Sequence, residues 1–145
     1  MGTANLKALV VMMLVTLSSG CSVPNQTLSV ETMAARNSLK DYGLVSCLIA
    51  IEPNSLLATD LGHSKRSLSF MGRGKYKLTQ DENTFEIIHD PYSETVVFMV
   101  KAAEKSVGYM KSGATAKSLG CFKVYHSNVF NEFVAGQDEY IVPLR

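Results

Sequence analysis

The most regular apolar pattern in the chain falls on Val96, Val100, Ala103, Val107 and Met110, at alternating steps of four and three. That spacing lines one face of an α-helix. Ser93 with Glu94 behind it supplies a start, and Gly113 supplies a stop. Asp90-Pro91 reads as an interruption just before it. Lys101, Glu104, Lys105 and Lys111 fall off the seam, so Val100 and Val107 are expected at the centre of the domain. A second apolar face, Leu44, Cys47, Leu48 and Ile51, ends a helix that begins near Ser29 and stops before Pro53. Ser29 is a candidate N-cap, with Glu31 suited to the first turn. Asn54 or Ser55 can cap a further helix through Leu56, Leu57, Leu61 and Leu68 to Phe70, weakened by Gly62.

Between Met71 and Asn83 the pattern breaks into a polar, exposed loop. Thr84 to His89 reads as a helical turn or short helix. Another helix starts near Thr115 or Ala116 and carries Leu119, Phe122 and Tyr125, with Cys121 beside them. Ser127 or Asn128 caps a last short helix through Val129, Phe130, Phe133 and Val134, ended by Gly136. The tail from Tyr140 to Pro143 is apolar and suited to an extended course. β-Branched residues are too scattered to predict strands. The fold class expected is all-α, a small bundle of about four to five helices. The helical domain is expected over residues 29–145, behind a polar tether at 21–28.

The first twenty residues differ from the rest. Ala8 to Leu17 is apolar apart from Thr16, too short to span a bilayer as a helix, which needs about 20 residues. Lys7 in front and Ser18-Ser19-Gly20 behind make the pattern of a secretory signal peptide over residues 1–20. Leu17-Ser18-Ser19-Gly20-Cys21 resembles a bacterial lipobox, in which the Cys becomes the lipidated first residue. The large aliphatic residue here stands one place further back than in that pattern, and an ordinary leader peptidase would also accept Ser18 and Gly20. Either way the protein is expected outside the cytoplasm, with a lipid on Cys21 as a membrane attachment in the first reading. Ser22 behind that Cys resembles an outer-membrane sorting residue.

Three cysteines occur, Cys21, Cys47 and Cys121. An odd count in an exported chain needs an explanation. Lipidation of Cys21 leaves Cys47 and Cys121 as an even pair in an oxidising compartment, where disulfides persist. Two unpaired core thiols are the alternative.

Charge and composition narrow the function. The whole chain has 14 basic and 13 acidic residues. Without Lys7 the mature side chains balance at 13 and 13, which gives no electrostatic case for nucleic acid. His63, His89 and His126 are far apart, and no C-x-x-C or H-E-x-x-H pair occurs to suggest a metal. Gly72-Arg73-Gly74-Lys75 lacks the spacing of a phosphate-binding loop, and G-x-S-x-G is absent. Cys47, late on an apolar helical face, is a poor setting for a thiolate nucleophile. The expectation is a non-enzyme without cofactor or metal.

Two stretches carry a resemblance. Ser38-Leu39-Lys40-Asp41-Tyr42-Gly43-Leu44-Val45-Ser46-Cys47-Leu48-Ile49-Ala50 resembles the first-helix motif of the type VI secretion amidase immunity proteins, the Tai family. Leu119-Gly120-Cys121-Phe122-Lys123-Val124-Tyr125-His126-Ser127, followed by Phe130 to Val134, resembles that family's Cys-x-x-x-Tyr-x-Ser segment and closing helix. Between them, Ile51 to Lys117 resembles the family only in helix content and length. The resemblance implies a periplasmic, homodimeric helical protein that inserts a surface loop into the Cys-His cleft of a peptidoglycan amidase.

Two irregular segments are candidates for that loop. Gly72 to Asn83 offers Arg73, Lys75, Tyr76 and Asp81. Lys111 to Lys117 offers Lys111, Ser112, Gly113, Thr115 and Lys117, small enough in part to enter a narrow cleft. The second is favoured slightly, with Lys101, Glu104 and Lys105 as added contacts. The rival classes are a structural or adaptor lipoprotein of the envelope, and an enzyme using Cys47 or Cys121 with a histidine.

Overall fold

A computed structural model describes residues 28–142. The leader, Cys21 and Pro143 lie outside the described residues. Helix α1 runs from Val30 to Ile51, and Ser29 caps it by accepting from Thr32 N at 3.0 Å. It is the central element, packed against every later helix. Its buried stripe is Ala35, Leu39, Gly43, Ser46 and Cys47, while Leu44, Leu48 and Ile51 pack on the margin of the core. At Gly43 a Cβ would come 2.8 Å from Thr95 Cγ2, so the missing side chain is what lets α1 and α3 cross closely.

Ser55 caps α2, Leu56–Leu68. Of its residues only Ala58 is buried, and Leu56 and Leu57 face solvent, contrary to the apolar face expected there. The helix packs along α1, with the small Ala58 as its buried residue.

The stretch before α3 departs from the sequence reading. Strands β1 (Thr79–Gln80) and β2 (Ile87–His89) form an antiparallel hairpin, so Thr84 to His89 is not a helical turn. The Asp81 carboxylate accepts from Asn83 N and Thr84 N, both at 2.8 Å, and closes the turn that a helix would need to continue through. Phe85 then takes φ 58°, outside helical space.

Helix α3 spans Pro91–Glu104, two residues earlier than Ser93. Asp90-Pro91 is its start and not an interruption. Asp90 accepts from Tyr92 N at 2.9 Å, and Pro91 occupies the first turn, where its missing N–H costs nothing. The buried face is Pro91, Tyr92, Thr95, Met99 and Ala103. The valine seam is therefore misplaced. Val96, Val100 and Val107 are only half-buried, Met110 is exposed, and the helix ends before Val107. Thr95 sits in the core because its hydroxyl donates to Pro91 O at 2.6 Å, leaving its methyl to pack.

Strands β3 (Gly108–Tyr109) and β4 (Thr115–Ala116) make a second hairpin, leading into α4, Lys117–Tyr125. Strands of two or three residues are too short to show an alternating pattern, which is why neither hairpin registers in the sequence. On α4 the buried residues are Gly120, Cys121 and Val124, whereas Leu119 and Phe122 are close to half exposed. Ser127 caps α5, Asn128–Ala135, which buries Phe130 and Val134. Gly136 closes it, and a 3-10 turn follows at Asp138–Tyr140.

The tail is extended beyond Tyr140. Ile141 bridges to Tyr76, and Val142 N donates to Lys75 O at 2.7 Å. Leu39, Met99, Phe130, Val134, Tyr76 and Tyr92 fill the core, with the disulfide at one end. The result is a small, mostly helical fold of five helices, with two short hairpins among the described residues.

Candidate functional site

Cys47 and Cys121 are bonded, with Cα atoms 5.9 Å apart, and join α1 to α4. Both stretches that resemble the immunity family thus meet in space. A second link lies along the same seam. Tyr125 donates to Asp41 Oδ1 at 2.8 Å, and Lys40 Nζ sits 4.6 Å above the Tyr125 ring while donating to Asn131 Oδ1 at 2.7 Å. Burial, then the neighbouring Asp41 carboxylate, pushes the Tyr125 phenol up to about 12.

The β3–β4 hairpin stands at the end of the molecule that holds the disulfide. Gly108 roots it: a Cβ there would meet Leu119 Cδ2 at 2.7 Å, so the strand lies directly on α4. Met110 N donates to Ala114 O at 2.9 Å, and Gly113 N donates to Met110 O at 3.0 Å. Gly113 takes φ +83°, which a side chain would oppose. These bonds preform a narrow tip of Lys111, Ser112, Gly113 and Ala114, all exposed, with Thr115 and Lys117 exposed on the returning leg. Tyr109 is 85% exposed and Met110 58%. At the hairpin's foot, a cavity of about 230 Å³ opens over the disulfide, lined by Ile51, Val100 and Val107 with Glu104 and Lys117 at its rim. Lys101, Glu104 and Lys105 are exposed nearby at the end of α3.

The other candidate segment is divided by the fold. Arg73 is exposed and Lys75 half-buried. Tyr76 is only 1% exposed, packed edge-on against Tyr92, with burial pushing its phenol well above the ordinary range. It is a core residue and presents nothing to a partner, which corrects its place among the surface anchors. Asp81 is spent on its own turn, where the N–H groups of Thr84 and Asn83 hold its carboxyl below the ordinary range. Residues 72–83 therefore do not form one polar, insertable loop.

The histidines are likewise apart. His89 Nε2 is 2.8 Å from Gln137 Oε1, its Nδ1 is 3.0 Å from Glu94 Oε1, and its ring stacks on Tyr140. With the bidentate Arg36–Asp138 pair, this cluster fastens the C-terminal turn to α1 and α3. Neither cysteine is a thiol, so neither is available as a nucleophile in this oxidised form.

Tyr109 and Met110 are the residues that sequence reasoning misses. The apolar pattern puts Met110 on the core-facing seam of a helix that runs on to Gly113, with Tyr109 inside it, and Gly108 is the one local residue that disfavours a helix there. No protein-family model, curated protein or solved structure matches the chain.

Proposed function

We propose that the chain is an exported, homodimeric immunity protein that binds a peptidoglycan amidase of a type VI secretion system and occludes its Cys-His cleft with the β3–β4 hairpin. The observation that carries this reading is the hairpin itself. It is preformed by backbone hydrogen bonds, narrow at Ser112-Gly113-Ala114, and seated on a helix tied to α1 by the disulfide. A loop that is already ordered loses little freedom on docking, so more of its contact energy appears as affinity. Tyr109 offers a rigid aromatic anchor of the kind that dominates interfaces, beside the adaptable Met110. Lys111 and Lys117 flank the tip and suit an acidic rim around the cleft.

The test is co-elution. The mature chain is mixed with a peptidoglycan amidase of the Cys-His class, and the mixture is sized by light scattering. A complex containing two copies of this chain supports the reading. Two separate peaks, with capture of an envelope component instead, would favour an adaptor lipoprotein.

A further inference from the structure

Helix α1 places the two ends of the domain about 30 Å apart, since its 22 residues each rise roughly 1.5 Å. Ile51, at its C-terminal end, shares the cavity at the foot of the hairpin. At the opposite end, aliphatic side chains are exposed among the polar Ser29, Glu31, Thr32 and Lys75. Val30 is 77% exposed, and Leu28, Met33 and Val142 are close to half exposed. Val30, Ala34, Ile141 and Val142 line an open cleft of about 380 Å³, with Lys75 and Glu31 at its edge. Leu28, where the described chain begins, belongs to this same end. The seven steps along the chain from Cys21 to Leu28 can reach at most about 25 Å, at roughly 3.3–3.6 Å per residue.

We propose that this end of the domain rests on a phospholipid surface, and that a lipid on Cys21 holds it there with the hairpin at the far end. The inference rests on the reading of Cys21 as an anchored residue and is independent of what the hairpin binds. A handful of exposed aliphatic side chains binds lipid weakly alone, but a short tether makes the encounter intramolecular and its effective concentration high. Lys75 and Glu31 offset each other, so the surface recognised is the apolar boundary of the bilayer and not an anionic headgroup. Glu31 also keeps the contact shallow. No helix among the described residues is long and apolar enough to cross a membrane.

The chain has no Trp, so one introduced Trp reports alone. In the oxidised mature chain Cys21 is the one remaining thiol and can be coupled to a maleimide phospholipid. Val30→Trp and Val142→Trp report the proposed lipid end, and Tyr109→Trp the hairpin. Each is placed on vesicles of phosphatidylethanolamine and phosphatidylglycerol, with and without brominated acyl chains. The proposal predicts at least roughly twofold quenching at 30 and 142, as for side chains at the acyl boundary, and none at 109. Equal quenching at both ends, or none at 30 and 142, overturns it. In the Val30→Trp variant, burial of the indole that depends on protein concentration without vesicles also overturns it, by showing that a second copy covers the end. The mass of the naturally processed protein reports separately whether Cys21 carries a lipid. An unmodified Cys21 defeats the anchoring, whatever the coupled chain does on vesicles.

Discussion

The Tyr125 hydroxyl donates to the Asp41 carboxylate at 2.8 Å, joining residues 84 apart in the chain. The bond needs the phenol protonated, because a phenolate would face the carboxylate as a like charge. Burial first, and then this bond and the Asp41 charge, raise the Tyr125 pKa in the folded state from the ordinary 10 to about 12. A raised pKa on an acid means that the folded state holds the proton longer than the unfolded state. Its stabilisation is complete below about 10 and is lost as pH rises through about 12. Urea unfolding across this window should show stability falling with pH, and Tyr125→Phe should flatten part of that slope. Identical slopes in parent and variant would show that folding does not raise the Tyr125 pKa.

Reduction of the Cys47–Cys121 bond should lower stability substantially. The closed loop spans 74 residues, and the chain-entropy relation gives about 4 kcal/mol for a loop of that size. Denaturant midpoints with and without a reductant measure the difference. Coincident midpoints would show that the bridge adds nothing.

Met99 and Val100 are neighbours with opposite roles. Met99 is fully buried, whereas Val100 lines the open cavity over the disulfide. Met99→Ala should cost about 2–5 kcal/mol. Val97→Ala, at an exposed position, should stay within roughly 0.5 kcal/mol. Val100→Asp should be milder than Met99→Asp, since its carboxylate can reach water through the cavity. Equal loss from the two Asp substitutions would return Val100 to the core.

Helix caps are the most legible part of the sequence. Ser29, Ser55 and Ser127 all cap as their chemistry suggests, because a short side-chain oxygen before an apolar stretch has few other uses. The Cys47–Cys121 pair is legible from the cysteine count together with the compartment inferred from the leader. The seam on α3 is not. The regularly spaced valines outweigh Thr95 as apolar positions, yet Thr95 is satisfied by its own helix and Met99 fits the irregular gap beside Gly43. Of the two candidate loops, Tyr76 gives a misleading signal, because an aromatic among Lys and Gly resembles a surface anchor until Tyr92 and Ile141 are seen to cover it. Gly113 gives a sound turn signal, although the turn is the tip of a hairpin and not a link between helices.

Inhibition by the hairpin is the claim that most needs a direct measurement. The Met110–Ala114 tip is replaced by Gly and Ser residues of equal number, and Tyr109→Ala is made separately. Both variants are checked for an unchanged melting temperature, then titrated against a Cys-His peptidoglycan amidase acting on purified peptidoglycan. The parent should abolish hydrolysis near equimolar ratio. The tip replacement should raise the inhibition constant by roughly a hundredfold or more, equivalent to about 2.7 kcal/mol of lost contact, and Tyr109→Ala by an order of magnitude. A folded tip variant that inhibits as well as the parent would contradict occlusion of the cleft by this hairpin.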